Sequence, residues 1–237
     1  MDDDLNAFLA RSHATANRPL LGVTVLVVED SRFASEAMRL LCLRSGARIR
    51  RADCLKSAHK HLSTYRPGVV IVDMGLPDGS GADLIREIKA MTPAVPLILG
   101  TSGDLDGEAL AMEAGANGFL AKPIESLAAF QSVVLAGLPA DMRPIGLRLV
   151  ADEVVTPDLI ALRDDLNHAA EVLADAPNNA VLDYVAQFLG GVARSAHDAP
   201  LAEAATALGQ RTDRSAAMQL QTLTGLVQQR LAAGASF

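Results

Sequence analysis

The sequence predicts an α/β region built on a doubly wound, five-stranded parallel sheet, followed by an all-α four-helix bundle. Three observations predict this. From Gly22 to about Leu138, short β-branched apolar runs alternate with amphipathic stretches of helical period. Runs such as VTVLVV and VVIV are apolar on both faces, as parallel strands covered by helices require. After about Pro139 the β signal fades and only helical periodicity continues.

Taken in order, residues 1–20 read as an arm. Its start, MDDDLNAFLARSH, is acidic and lacks the basic, then apolar, pattern of a signal peptide. Residues 21–138 hold the α/β region. Its strands are expected at Val23–Val28, Ala47–Arg51, Val69–Val72, Pro96–Gly100 and Gly118–Leu120, with helices near 32–45, 55–65, 81–91, 105–115 and 125–136. Residues 139–156, with Pro139, Pro144 and Gly146, read as a linker holding a short element at Leu147–Val150. Residues 157–237 read as helices near 157–175, 178–197, 200–210 and 214–233. Thr156 is the expected N-cap and Pro157 the first helical residue. Leu159, Leu162, Leu166, Ala169 and Leu173 form one apolar stripe, and Val181, Val185, Phe188 and Val192 another. Breaks at Pro177 and Pro200 fit short helix connections.

Composition narrows the function classes. Aromatic residues are only 3%, which disfavours a base-stacking surface for single-stranded nucleic acid. The net charge of −7 disfavours general duplex binding. Cys42 and Cys54 fit neither a disulfide scaffold nor a zinc finger, and point to a reducing compartment. The longest apolar run, Leu20–Val28, is far short of the roughly 20 residues that span a bilayer, so a cytoplasmic location away from membranes is expected.

The candidate chemistry stands at strand ends. The first strand ends in Glu29-Asp30, the third in Asp73 and the fourth in Thr101; the fifth is followed by Lys122-Pro123. In a doubly wound sheet these ends converge on one crevice. Three carboxylates there repel one another unless a cation joins them, and oxygen ligands of this kind suit Mg²⁺. A hydroxyl and an ammonium nearby suit phosphoryl oxygens. The residues therefore point to metal-assisted phosphoryl transfer onto a carboxylate.

From about Thr24 to Gly137 the chain resembles the receiver domain of two-component response regulators. The matching segments are VLVVED (25–30), VVIVDMGLPDGSG (69–81), ILGTSG (98–103) and FLAKP (119–123), with Pro77 and Gly81 at the family's spacing after Asp73. The resemblance implies a flavodoxin-like receiver fold. It implies that Asp73 accepts the phosphoryl group, and that Glu29, Asp30, Asp73 and the Gly75 carbonyl hold Mg²⁺. Lys122 then pairs with Asp73 and the phosphoryl oxygens, Thr101 donates its hydroxyl to the phosphoryl group, and Phe119 is the switch aromatic. A cis Lys122–Pro123 bond is also expected. Two departures stand out: Gly75 and Gly103 lie where the family often carries side chains that orient the hydrolytic water. Unassisted hydrolysis is therefore expected.

In the helical half, Val150–Phe237, five arginines against eleven acids leave −6, with no lysine, which argues against a DNA-reading output. Segment 185–208 resembles a histidine phosphotransfer domain around its active helix, in degenerate form: Gly191 matches the family's glycine, Gly190 replaces its lysine, and Gln187 stands where the histidine belongs. Asp183, Gln187, Gly190, Gly191 and Arg194 are expected on an open face. Segment 162–173 is similar instead to the first helix of a histidine-kinase dimerisation domain, with Asp164 in the histidine's place. His168 is expected on the solvated face, paired with Asp164, and His197 at a helix end.

The resulting expectation is a phosphoacceptor switch rather than an enzyme. A sensor histidine kinase or phosphotransfer protein supplies the phosphoryl group. Phosphorylation of Asp73 reshapes the face of the last strand and its neighbouring helices, and the bundle binds an output protein or dimerises. The alternatives are a phosphorelay intermediate using His168 or His197, and a DNA-binding transcription regulator.

Overall fold

The computed structural model describes residues 14–144, 153–175, 177–212 and 215–233. Five parallel strands run β1 (Thr24–Val28), β2 (Arg48–Ala52), β3 (Val69–Asp73), β4 (Leu97–Ser102) and β5 (Gly118–Ala121). Their order is β2-β1-β3-β4-β5. The strand order reverses at β1, so the crevice between the carboxyl ends of β1 and β3 is the natural ligand site. Between the strands lie α1 (Arg32–Arg44), α2 (Leu55–Thr64), α3 (Gly81–Lys89) and α4 (Gly107–Ala114), and α5 (Leu127–Gly137) follows the last strand.

The period-two rule explains the two cores. Val25, Val27, Val69, Ile71, Leu97 and Leu99 face one side, where α1 and α5 bring Met38, Leu41, Phe130 and Val134. Leu26, Val28, Val70, Val72 and Ile98 face the other, against Ala58, Leu62, Leu84, Ile85, Ile88 and Ala111 from α2, α3 and α4. β2 departs from the buried-strand expectation. It is an edge strand whose Arg48, Arg50 and Arg51 are exposed, a charged edge that resists pairing with other chains.

Some boundaries differ from the sequence reading. α4 starts at Gly107 rather than 105, leaving Leu105 fully exposed in the preceding turn. α5 starts at Leu127 because Ser126 Oγ accepts from Ala129 N–H. The expected element at Leu147–Val150 lies outside the described residues, as does most of the 1–20 arm. Ala140–Met142 forms one 3₁₀ turn. Val154 bridges Ser126, and Val155 is buried in the α1/α5 core.

Four further helices follow: α6 (Leu159–Ala174), α7 (Asn179–Ser195), α8 (Ala199–Gly209) and α9 (Ala216–Ala233). They share one apolar cluster, which includes Leu166, Leu173, Val185, Leu189, Leu201, Leu208, Leu223 and Val227. α6 touches α7, α7 touches α8, α8 touches α9 and α9 returns to α6. The cap of α6 is Asp158, accepting from Ile160 N–H, and not Thr156. Leu159 thus falls in the first turn and is 66% exposed, outside the stripe predicted for it. α6 and α7 also lie against α1, and α7 reaches the Gly75–Leu76 segment. Among the described residues no helix is long and apolar enough to cross a membrane.

Candidate functional site

The site forms because four strands deliver polar residues at their carboxyl ends. Glu29 and Asp30 follow β1 directly. Asp73 ends β3 and sits in register beside Thr101 of β4. Lys122 follows β5 and is joined to Pro123 by a cis peptide bond. Its Nζ lies 2.7 Å from Glu29 Oε2 and 3.1 Å from Asp73 Oδ1, and its side chain is 6% exposed. Gly81, eight residues after Asp73, permits a close approach: a Cβ there would fall 2.0 Å from the Asp73 carbonyl oxygen.

Burial governs the electrostatics. It pushes both Asp30 and Asp73 up to about 7; Asp73 and Lys122 act oppositely on Asp30, and Glu29 and Lys122 oppositely on Asp73. Burial also raises Glu29, against the pull of Lys122. Burial works to lower Lys122, but Asp73 and Glu29 outweigh it and hold the ammonium charged. One ammonium thus faces three carboxylates. Ligand atoms of Glu29, Asp30 and Asp73 all lie within 4.8 Å of one another. An all-oxygen, net-negative donor set of this size fits a hard divalent cation.

Thr101 is fully buried, and its Oγ1 donates to the Leu120 carbonyl at 2.7 Å, toward β5 rather than Asp73. Phe119 is half-buried and packs on the α2–α4 side; a Cβ on Gly100 would come 3.3 Å from its ring.

The C-terminal helices line the same crevice, which sequence reasoning missed. Tyr184 Oη donates to Asp30 Oδ2 at 2.8 Å. Asp165, 2% exposed, accepts from Ser31 Oγ (2.7 Å), Arg32 N–H (2.8 Å) and Phe33 N–H (3.0 Å), so a residue of α6 caps α1. Gln187 Nε2 (3.2 Å) and Arg194 Nη2 (3.0 Å) both donate to Asp104. The face expected to be open is therefore covered in part: Gly190 is buried and Gly191 and Arg194 are half-buried, while Gln187 lines the crevice at its exposed rim. Asp183 pairs instead with Arg211. The signal that could have pointed here was the pair of glycines, Gly75 and Gly103. A Cβ on Gly75 would strike the Gln187 carboxamide at 2.3 Å, and one on Gly103 would strike Arg194 Nε at 2.3 Å.

The expected Asp164–His168 pair does not form. Asp164 binds Arg32 at 2.6 Å, and His168 stands edge-on to Phe188, with ring centroids 5.7 Å apart. His197 pairs with Glu125 at 2.8 Å. Neither histidine lines the Asp73 crevice.

Residues 25–133 match the family described as response regulator receiver domain. Those residues are a response regulator receiver domain. Over 139 residues the chain is 32% identical to the KDP operon transcriptional regulatory protein KdpE of Escherichia coli (strain K12), a match covering 58% of this chain and 61% of that one. It is likewise 32% identical to the probable transcriptional regulatory protein TcrX of Mycobacterium tuberculosis, with 60% of each chain covered. The chain thus spans about three fifths of the length of these curated relatives. Among solved structures, the receiver is similar to that of the sensor histidine kinase PA1611 from Pseudomonas aeruginosa PAO1, crystallised with a magnesium ion in its active-site cleft. That match has 26% identity and a TM-score of 0.43, and covers 46% of this chain and 92% of that chain.

Proposed function

We propose that this chain is a phosphorylation switch of a two-component system, with Asp73 as phosphoacceptor and the helical region as its signalling output. The observation that carries this reading is the meeting of Glu29, Asp30, Asp73 and Lys122 at the carboxyl ends of adjacent strands. In the reading, Asp73 attacks the phosphorus of the donor. An Asp73 O–P bond forms and the donor's P–N or P–O bond breaks. Its electron pair leaves on the ring nitrogen of a phosphohistidine or on the oxygen of acetate. Lys122 shifts from pairing two carboxylates to pairing the phosphoryl oxygens. The Thr101 hydroxyl gives up the Leu120 carbonyl to donate to the same group, and Phe119 follows it.

Glu29, Asp30, Asp73 and the Gly75 carbonyl are the residues that would hold Mg²⁺, and the cation supplies positive charge against the phosphoryl oxygens. The donor is a sensor histidine kinase or a phosphotransfer protein. The similarity of 185–208 to a phosphotransfer helix is supported by the seat of Gln187 against Gly75. A Gln amide neither accepts nor passes on a phosphoryl group, so α7 is a non-relaying version in this reading. The output is a protein partner or a second copy of the chain.

The test is incubation with acetyl phosphate and Mg²⁺, followed by peptide mass mapping. One phosphoryl group is expected on the peptide containing Asp73, and none in Asp73→Asn. A second reading, transcriptional control through DNA, is favoured by the names of the curated relatives. A mobility shift on duplex DNA that persists at moderate salt would support it over a protein output.

A further inference from the structure

The helical region does more than lie beside the receiver, because α7 fills the mouth of the phosphoacceptor crevice. Tyr184 holds Asp30, the Gln187 carboxamide lies flat on Gly75, Gly191 stands over the Lys122 ammonium, and Arg194 covers Gly103. The cavity left between these residues and Asp73 is about 10 Å³. That is roughly the space one water needs. A phosphoryl group with three oxygens does not fit, nor does a hydrated cation beside it. Asp73 is 7% exposed, and Gln187 lines the same cavity.

The receiver's two departures from its family's pattern acquire a reason here. Gly75 and Gly103 lack side chains where Gln187 and Arg194 need room. The seat itself is held lightly. Its two bonds to Asp104 are exposed, and Arg194 Nε is buried with no hydrogen-bond partner among the described residues.

We infer that α7 occupies in cis the surface on which a phosphodonor must dock, so that the seating of α7 and the phosphorylation of Asp73 exclude each other. The partner displaced is a helix carrying a phosphohistidine. The face released, Tyr184–Gln187–Gly191–Arg194, is exposed in the open form, which phosphorylation of Asp73 favours. This rests on Asp73 being the phosphoacceptor.

The test compares the initial rate of Asp73 phosphorylation by acetyl phosphate and Mg²⁺ in the full chain, in Gln187→Ala/Arg194→Ala and in Tyr184→Phe. Thermal melts check that each variant folds. The double variant is expected to react faster, on the order of tenfold, because loss of two polar anchors shifts the closed–open equilibrium by about one power of ten. Tyr184→Phe is expected to react faster by a smaller factor. Equal or slower rates in the double variant, with Asp73 still labelled, overturn the inference alone. Absence of label at Asp73 in every form overturns the phosphoacceptor reading and this inference with it.

Discussion

Asp30 and Asp73 hold protons near neutral pH because burial raises both to about 7, whereas unfolded carboxyls titrate near 4. The folded protein therefore binds more protons than the unfolded chain between these values. The stability these groups contribute is complete below about 4 and is lost as pH rises through about 7. In chelator, urea titrations should show wild type losing stability relative to Asp30→Asn as pH rises across that window, with Mg²⁺ cancelling the loss. A difference that grows in the opposite direction would contradict the electrostatic account. Lys122→Met leaves the three carboxylates without an ammonium to meet phosphoryl oxygens. Incorporation of phosphate from acetyl phosphate should fall on the order of a hundredfold. The strand-end polar residues were legible in the sequence because each interrupts a fully apolar run. Tyr184 and Asp165 were not, since each meets its partner across more than a hundred intervening residues, and no local pattern encodes such a pairing.

Helix and strand positions were readable where the apolar period is long and uninterrupted, as in β1, β3 and α7. They were less so at the ends, where Thr156 and Asp158 both qualify as caps and only the hydrogen bond to Ile160 decides between them. Two latches act at this level. Asp165 ties α6 to the start of α1 through three hydrogen bonds to a buried carboxylate. Asp165→Ala should lower stability by about 2 kcal/mol in urea titration, because it strands the α1 N–H groups. Asp198 caps α8 through Leu201 N–H and binds Arg230 of α9 at 2.6 and 3.0 Å. The Arg230 bond holds its carboxyl below the usual range, chiefly against burial. Stability from this group is present above about 4 and lost as pH falls below it. Asp198→Ala should cost about 1–2 kcal/mol at pH 7. The cost should shrink toward the loss of the cap alone in strongly acidic buffer, and a cost that grows on acidification would refute the pairing.

For the whole molecule, the excess negative charge gathers in the C-terminal segment, and that segment presents Tyr184, Gln187 and Arg194 to a crevice rich in acids. The fold class of both regions was legible from periodicity alone. Their mutual packing was not, because it depends on two glycines whose meaning appears only when α7 is seated over them. That seating makes phosphorylation a matter for both regions at once, and it sets a decisive measurement. Hydrogen–deuterium exchange of residues 179–195 should be followed in wild type and Asp73→Asn, each with and without acetyl phosphate and Mg²⁺, with phosphate occupancy read by mass. The account predicts faster exchange across α7 in phosphorylated wild type and no change in Asp73→Asn. Unchanged exchange in a fully phosphorylated sample would contradict it.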